Sequence, residues 1–272
     1  MNNAATLLGV YFRQQVELGA PDAIFSSPTL ISDALRKRRQ PARESAPGPV
    51  KHAVSISDTR PEKDSTPQPS TAASQFSQSN PQRRQLVDVY KQHYRCQNCA
   101  LGKTRTKFVF GAGSADAPLM IIGEAPGADE DREGVPFVGP AGRLLTKMLA
   151  AIDLDRDKDV FITNILKCRP PRNRDPQDAE IVACNPILKQ QLAVIKPLSL
   201  LLLGRIAAQT LLQTTASISR MRGQIHEYES IPAFVTYHPA ALLRNQSLKR
   251  PAWEDLQKLQ KFLKERNVYA AP

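Results

Sequence analysis

Residues 120–145 read MIIGEAPGADEDREGVPFVGPAGRLL. The apolar run Leu119 to Ile122 that opens this stretch has the character of a strand buried on both faces of a parallel sheet. From Gly123 through Gly142 the chain then holds five glycines and three prolines. A segment so composed neither extends a strand nor makes an ordinary helix. The expectation is a long ordered loop at the carboxyl end of a strand, the place where open α/β sheets bind ligands. Gly139, Pro140 and Gly142 lead into an apolar-periodic helix, Arg143 to Ile152. The loop carries Glu124, Asp129, Glu130 and Asp131, with one aromatic, Phe137, expected as an exposed ring among small residues. Acids and one ring beside a sheet fit a pocket for a flat, neutral, hydrogen-bonding ligand. A solvated acidic turn is the blander alternative, which the strand–loop–helix context disfavours.

The flanking chain repeats the strand–helix alternation. Asp159 to Ile165, Leu198 to Leu203 and Ile231 to Tyr237 read as three further strands. Helices are expected over Gln85 to Tyr94, Pro176 to Ile195 with Asp175 as N-cap, Arg205 to Leu212, and Pro251 to Glu265. Alternation of this kind predicts a parallel sheet with helices on both faces.

The chain has 272 residues, is 41% hydrophobic and has a formal net charge of +11. Residues 1–80 hold nine Lys/Arg against seven Asp/Glu, and residues 81–272 hold 28 against 19. The basic part is therefore the part expected to fold, which points to a polyanionic partner such as DNA or RNA. No apolar run reaches the ~18 residues of a membrane span. The N-terminus lacks the basic and apolar regions of a signal peptide, so the expected compartment is the cytoplasm.

Residues 1–25 read as a short amphipathic helix, able to dock or to bind a protein partner. Residues 26–83 read as a disordered Pro/Ser-rich linker, with too few large apolar side chains to offset the entropy of ordering. The folded domain is expected over residues 84–272.

The four cysteines lie in that domain. Cys96 and Cys99 form C-x2-C; Cys168 follows the second strand and Cys184 falls in a helix. A redox pair, a zinc site and an iron–sulfur cluster all accept such a pattern. Four thiolates with none to spare favour a closed four-ligand site. At the other end of the domain, His238 follows the last strand in YHPAALLR, at the same sheet edge as the Glu124 loop. Leu242 and Leu243 are read as exposed leucines able to wedge into a base stack while Arg244 holds a phosphate. The alternative is that both leucines pack under the closing helix.

GEAPG at 123–127 with PFVGPAG at 136–142, TNILKCRPP at 163–171, HPAALLR at 238–244 and the C-x2-C at 96–99 occur in one order. Together they resemble the family-4, iron–sulfur uracil-DNA glycosylases over about residues 84–266. The resemblance implies a three-layer α/β/α fold with a four-stranded parallel sheet, and a monomer. It implies hydrolysis of the N-glycosidic bond of deoxyuridine in DNA, with uracil-containing DNA, double- or single-stranded, as partner. It assigns Cys96, Cys99, Cys168 and Cys184 to a [4Fe–4S] cluster. Glu124 and Ala125 would border the uracil and help place the water, Glu130 would lie at the C5 edge, Phe137 would stack on the base, Asn164 would read its polar edge, and His238 would hydrogen-bond the departing base. Other uracil glycosylases place an Asp at the position of Ala125, which has no carboxylate to offer. A related branch that bonds covalently to DNA carries a His-containing insertion after the second strand; the residues between Cys168 and Cys184 contain no His.

Two other functions fit parts of the pattern. One is a non-enzymatic nucleic-acid-binding module; the other is a nucleotide-binding enzyme, disfavoured because no G-x-G-x-x-G or Walker lysine pattern is present.

Overall fold

A computed structural model describes residues Asn80 to Val268. The expected N-terminal helix and nearly all of the linker lie outside those residues. The described chain opens with helix α1, Pro81–His93, three residues ahead of the expected domain start, and the one-turn helix α2, Leu101–Thr104, follows it. Asn80 caps it, its side-chain oxygen accepting from the Arg83 N–H at 3.1 Å, and Pro81 occupies the first turn, where no N–H is needed. Leu86 and Tyr90, one turn apart, form its buried face.

The sheet has six strands in the order β1-β3-β2-β4-β6-β5. These are β1 (Ala112–Gly113), β2 (Leu119–Gly123), β3 (Val160–Asn164), β4 (Ser199–Leu203), β5 (Ile225–Tyr228) and β6 (Ile231–Thr236). The expected four-stranded parallel sheet is thus the centre of a larger one. β3, β2, β4 and β6 run parallel, while β1 and β5 add antiparallel edges on β3 and β6. The edge strands escape a reading by apolar runs because β1 has two residues and β5 is only partly buried. Every residue of β2, β3 and β4 is buried, as expected for strands covered on both faces.

Alternation along the strands divides the core. Leu119, Ile121, Ile162, Leu201 and Phe234 pack with Leu145 and Leu149 of α4 (Pro140–Ala150) and with Leu256, Leu259 and Leu263 of a closing helix, Lys249–Lys264. On the opposite face, Thr163 and Gln191 of the long helix Asp178–Ile195 both donate to the Phe110 carbonyl. That helix, α5, begins two residues beyond Pro176. Asp175 is not its cap: its carboxylate accepts from Arg205 at 2.7 Å, whereas the Glu180 carboxylate accepts from the Gln177 N–H at 2.9 Å.

β2 is the second segment of the sheet but lies at its centre, with β3 on one side and β4 on the other. The connections leaving the carboxyl ends of β2 and β4 therefore diverge, and a crevice opens between them. Thr236, at the end of β6, donates to the buried Asp255 carboxylate at 2.9 Å, and the Gly204 N–H donates to the Thr236 carbonyl at 2.9 Å. These bonds fix the backbone just before His238.

Candidate active site

The crevice holds a cavity of about 520 Å³, bordered by Glu124, Ala125, Glu130, Phe137, Asn164, His238 and Arg244 among others. Its size suits a small planar ligand with room for the sugar it hangs from.

The floor is set by strand register. Gly123 and Asn164 pair side by side at the carboxyl ends of β2 and β3. A Cβ on Gly123 would overlap both the Asn164 Oδ1 and the Phe137 ring, so the glycine leaves the space these two side chains occupy. Beyond the strands, the Ile165 and Leu166 N–H groups donate to the Gly123 and Glu124 carbonyls at 2.9 and 3.0 Å. The backbone carrying Glu124 is therefore tied to the backbone following Asn164. Asn164 is 2% exposed, and its Oδ1 has no hydrogen-bond partner. A buried acceptor left unpaired is costly, and at a cavity floor it marks where a ligand donor belongs.

The acidic loop is more ordered than the sequence implies. It contains a six-residue helix, α3, Ala128–Glu133, where an irregular loop is expected. Glu130 clamps it: Oε2 accepts from the Gly127 N–H at 3.1 Å, and Oε1 accepts from the Val138 and Gly139 N–H groups at 3.0 and 3.1 Å. Asp131 is buried and accepts from the Thr106 N–H at 2.9 Å. Two of the four acids thus close the loop on its surroundings. Glu124 differs, since among the described residues no hydrogen bond holds its carboxylate. Burial, and to a lesser degree Asp175, push its pKa up, while Arg205 opposes them.

Phe137 is not the exposed ring the sequence suggests. It is buried, and its backbone lies in the left-handed region at φ 55°. For an aromatic residue that conformation costs roughly 1–3 kcal/mol and must be held by its surroundings. Arg156 supplies the hold: its guanidinium donates to the Pro136 carbonyl at 2.8 Å, the Gly142 carbonyl at 3.3 Å and Thr146 Oγ1 at 3.0 Å. Gly142 lets the Phe137 carbonyl sit where a side chain would otherwise be.

His238 caps the short helix α8, Pro239–Arg244, counted after α6 (Arg205–Leu212) and α7 (Ile218–Met221). Its Nδ1 accepts from the Ala240 N–H at 3.1 Å. The neutral ring must then carry its hydrogen on Nε2. Burial, helped by Arg244, lowers its pKa to about 4, so the ring is a neutral donor at neutral pH. Leu242, expected at the DNA, is instead 2% exposed and belongs to the core, while Leu243 is 44% exposed and Arg244 is exposed. Consecutive helical residues point about a third of a turn apart, so one leucine of the pair faces inward and the other outward.

The four cysteines carry free thiols. Among the described residues, no three His, Cys, Asp or Glu side chains are grouped to hold a metal ion. The thiols nevertheless face one another electrostatically, Cys168 with Cys184 and Cys99, and Cys184 with Cys96 and Cys99. Arg105 donates to the Cys168 sulfur at 3.2 Å and to the Cys96 carbonyl at 2.6 Å, and the Lys167 N–H donates to the Cys184 sulfur at 3.3 Å. Burial raises the Cys168 thiol to about 11 and pushes Cys184 up as well.

Arg156 and the fully buried Lys167 escaped the sequence reading. Arg156 stands in DLDRDKD, which reads as a solvated charge run, and Lys167 stands beside a cysteine with nothing to mark it as interior. Membership of TNILKCRPP was the one signal available for Lys167.

The profile of the Uracil DNA glycosylase superfamily matches residues 110–257. A type-4 uracil-DNA glycosylase of Archaeoglobus fulgidus is 43% identical over 182 residues, covering 64% of this chain and 91% of the relative. One from Sulfurisphaera tokodaii is 44% identical over 186 residues, 65% of this chain and 84% of the relative. One from Thermotoga maritima is 38% identical over 191 residues, 67% of this chain and 97% of the relative.

Proposed function

Because this chain belongs to the uracil DNA glycosylase superfamily and excises uracil from DNA, we propose the following division of labour within its pocket. The observation that carries it is the unpaired Asn164 Oδ1 on the pocket floor. A uracil buried in duplex DNA must first be flipped out, at a cost of a few kcal/mol. Its polar edge presents N3–H as donor and O4 as acceptor. The Asn164 amide meets both, Oδ1 accepting from N3–H; cytosine offers the reverse pattern. The Phe137 ring gives the base an apolar wall to stack on, and Glu130 keeps that wall and the α3 turn in register at the C5 edge.

As the glycosidic bond breaks, negative charge gathers on the base near O2. The neutral Nε2–H of His238 stabilises it, by ~3–4 kcal/mol if it resembles other pre-aimed donors. The sugar develops positive charge, which the Glu124 carboxylate offsets while accepting a hydrogen bond from the attacking water. Ala125 borders the base and offers no carboxylate. Leu243 fills the gap left by the flipped nucleotide, and Arg244 holds a phosphate.

Cys96, Cys99, Cys168 and Cys184 are proposed to hold a [4Fe–4S] cluster. Four soft thiols suit iron–sulfur ligation, and the N–H groups of Arg105 and Lys167 aimed at sulfur are the kind that tune such clusters. When bound, the cluster would tie the segment before the sheet to β3 and α5, and no step of excision would pass through it. Iron and sulfide analysis of anaerobically purified protein tests this; stoichiometric zinc in their place would refute it.

We further propose that the excising unit is a cytoplasmic monomer that starts at Asn80, the cap of α1, rather than at residue 84, and that the residues before it serve a protein partner. Among the described residues no helix is long and apolar enough to cross a membrane.

The decisive experiment measures single-turnover excision and DNA affinity for His238→Ala. The rate should fall roughly 10²–10³-fold with affinity nearly unchanged. A wild-type rate with weakened binding would make the HPAALLR turn a DNA clamp instead.

A further inference from the structure

Lys167 is fully buried, a rare state for a lysine without a partner. Its Nζ donates to the Asn164 carbonyl at 2.6 Å and to Thr163 Oγ1 at 2.7 Å. Thr163 passes its own hydrogen to the Phe110 carbonyl at 2.8 Å, which also accepts from the Gln191 amide at 2.9 Å. The Lys167 backbone is anchored too: its carbonyl accepts from the Val109 N–H at 2.9 Å and its N–H donates to the Cys184 sulfur. Among the described residues no carboxylate pairs with the ammonium.

Asn164 lies at the other end of this network. It is the last residue of β3, where the ladder with β2 ends. Its Oδ1 has no partner, so nothing at that atom aims the amide. The amide's placement then depends on the Asn164 backbone, whose carbonyl Lys167 holds. We propose that Lys167 is a positioning residue for uracil recognition: its backbone N–H at the Cys184 sulfur and its Nζ at the Asn164 carbonyl join the cysteine site to the end of β3, so that the amide stays aimed into the pocket. The inference rests on the reading of Asn164 as the base-reading residue and of the cysteines as cluster ligands. A neutral side chain of similar length would fill the space but leave the Asn164 carbonyl and Thr163 Oγ1 without their donor.

A double-mutant cycle tests the link. Single-turnover excision from single-stranded uracil DNA is compared for wild type, Lys167→Met, Asn164→Ala and the double variant, with inhibition by free uracil and iron content measured on each. Lys167→Met should slow excision roughly tenfold and weaken uracil inhibition in the wild-type background, and change neither by more than about twofold when Asn164 is Ala. A merely structural role predicts the same loss in both backgrounds, and that result overturns the proposal. Should Lys167→Met fail to fold or lose its iron, Thr163→Val, which removes one Nζ partner at nearly constant volume, is carried through the same cycle. It should show the same coupling at smaller size, and additivity there is equally decisive. Asn164→Ala excising at the wild-type rate would instead fault the reading of Asn164, and the proposal with it. Iron-free wild type that still shows the coupling would remove the cluster reading and leave Lys167 as the residue that positions Asn164.

Discussion

Phe137 and His238 lie ring against ring, with centroids 5.4 Å apart and planes 30° from parallel. One ring comes from the loop after β2, the other from the turn after β6. Each gives the other what it lacks alone. The imidazole covers a phenyl ring held in a strained backbone conformation, and the phenyl shields the imidazole from water. Gly204, at φ 91°, has no side chain to crowd the His238 Cβ.

The shielding makes a pH prediction. With the His238 pKa lowered to about 4, the ring should stay neutral and held through Nδ1 across the neutral and mildly acidic range, and its contribution to excision should change only as pH approaches 4, where loss of the Nδ1 acceptor frees the ring from Ala240. Protonation there would put a hydrogen on Nδ1, facing the Ala240 N–H. The stability sign follows from the unfolded value of 6.5. Between 6.5 and about 4 the unfolded chain binds the proton and the folded chain does not, so this group's contribution is full above 6.5 and declines as pH falls. An NMR titration of the His238 ring giving an ordinary value would contradict the shielding. Phe137→Ala should move the ring back toward that ordinary value.

Asn164→Asp should weaken uracil selection. An ionised aspartate only accepts, so O4 of the base would face a carboxylate. Repulsion and one unmet hydrogen bond should cost on the order of 2–4 kcal/mol in kcat/KM for uracil, with weak excision of cytosine as a side effect. Competition between uracil- and cytosine-containing oligonucleotides measures the ratio, and an unchanged ratio would separate Asn164 from base choice.

Gly123→Ala should damage the site more than the fold. The added methyl meets the Asn164 Oδ1 and the edge of the Phe137 ring, both of which must shift. A displacement of about 1 Å at a reacting centre can cost on the order of 10²-fold in rate. Single-turnover excision together with a melting curve resolves the two effects. A folded variant excising at full rate would mean that neither side chain needs its present place.

Leu242→Ala and Leu243→Ala should part company. Loss of the buried Leu242 should cost ~2–5 kcal/mol of stability, as core leucine truncations do. Loss of the exposed Leu243 should leave stability within about 0.5 kcal/mol and slow excision from duplex more than from single-stranded DNA. Denaturant melts and a comparison of the two substrates provide the readings. Equal effects of Leu243→Ala on both substrates would remove its role as a wedge.

Much of this protein is legible in its sequence. The four parallel strands announce themselves as apolar runs, because a strand covered on both faces has no polar side to show. The glycine-rich segment and His238 follow the ends of two of those strands and Asn164 lies at the end of a third, so a shared sheet edge follows from topology alone. What the tertiary structure decided is which groups are buried and what they face. Phe137 looked exposed because its neighbours are small, yet those small residues are what let the loop close over it. Leu242 and Leu243 are alike in sequence, and only the turn of a six-residue helix sends one to the core and the other to solvent. Arg156 and Lys167 look like surface charges, since a sequence names a residue's donors but not the carbonyls that distant segments bring to them. Hydrophobic runs are local and can be read along the chain. The partners that satisfy a buried polar group come from strands and loops far apart in sequence, and exist only once the sheet has assembled.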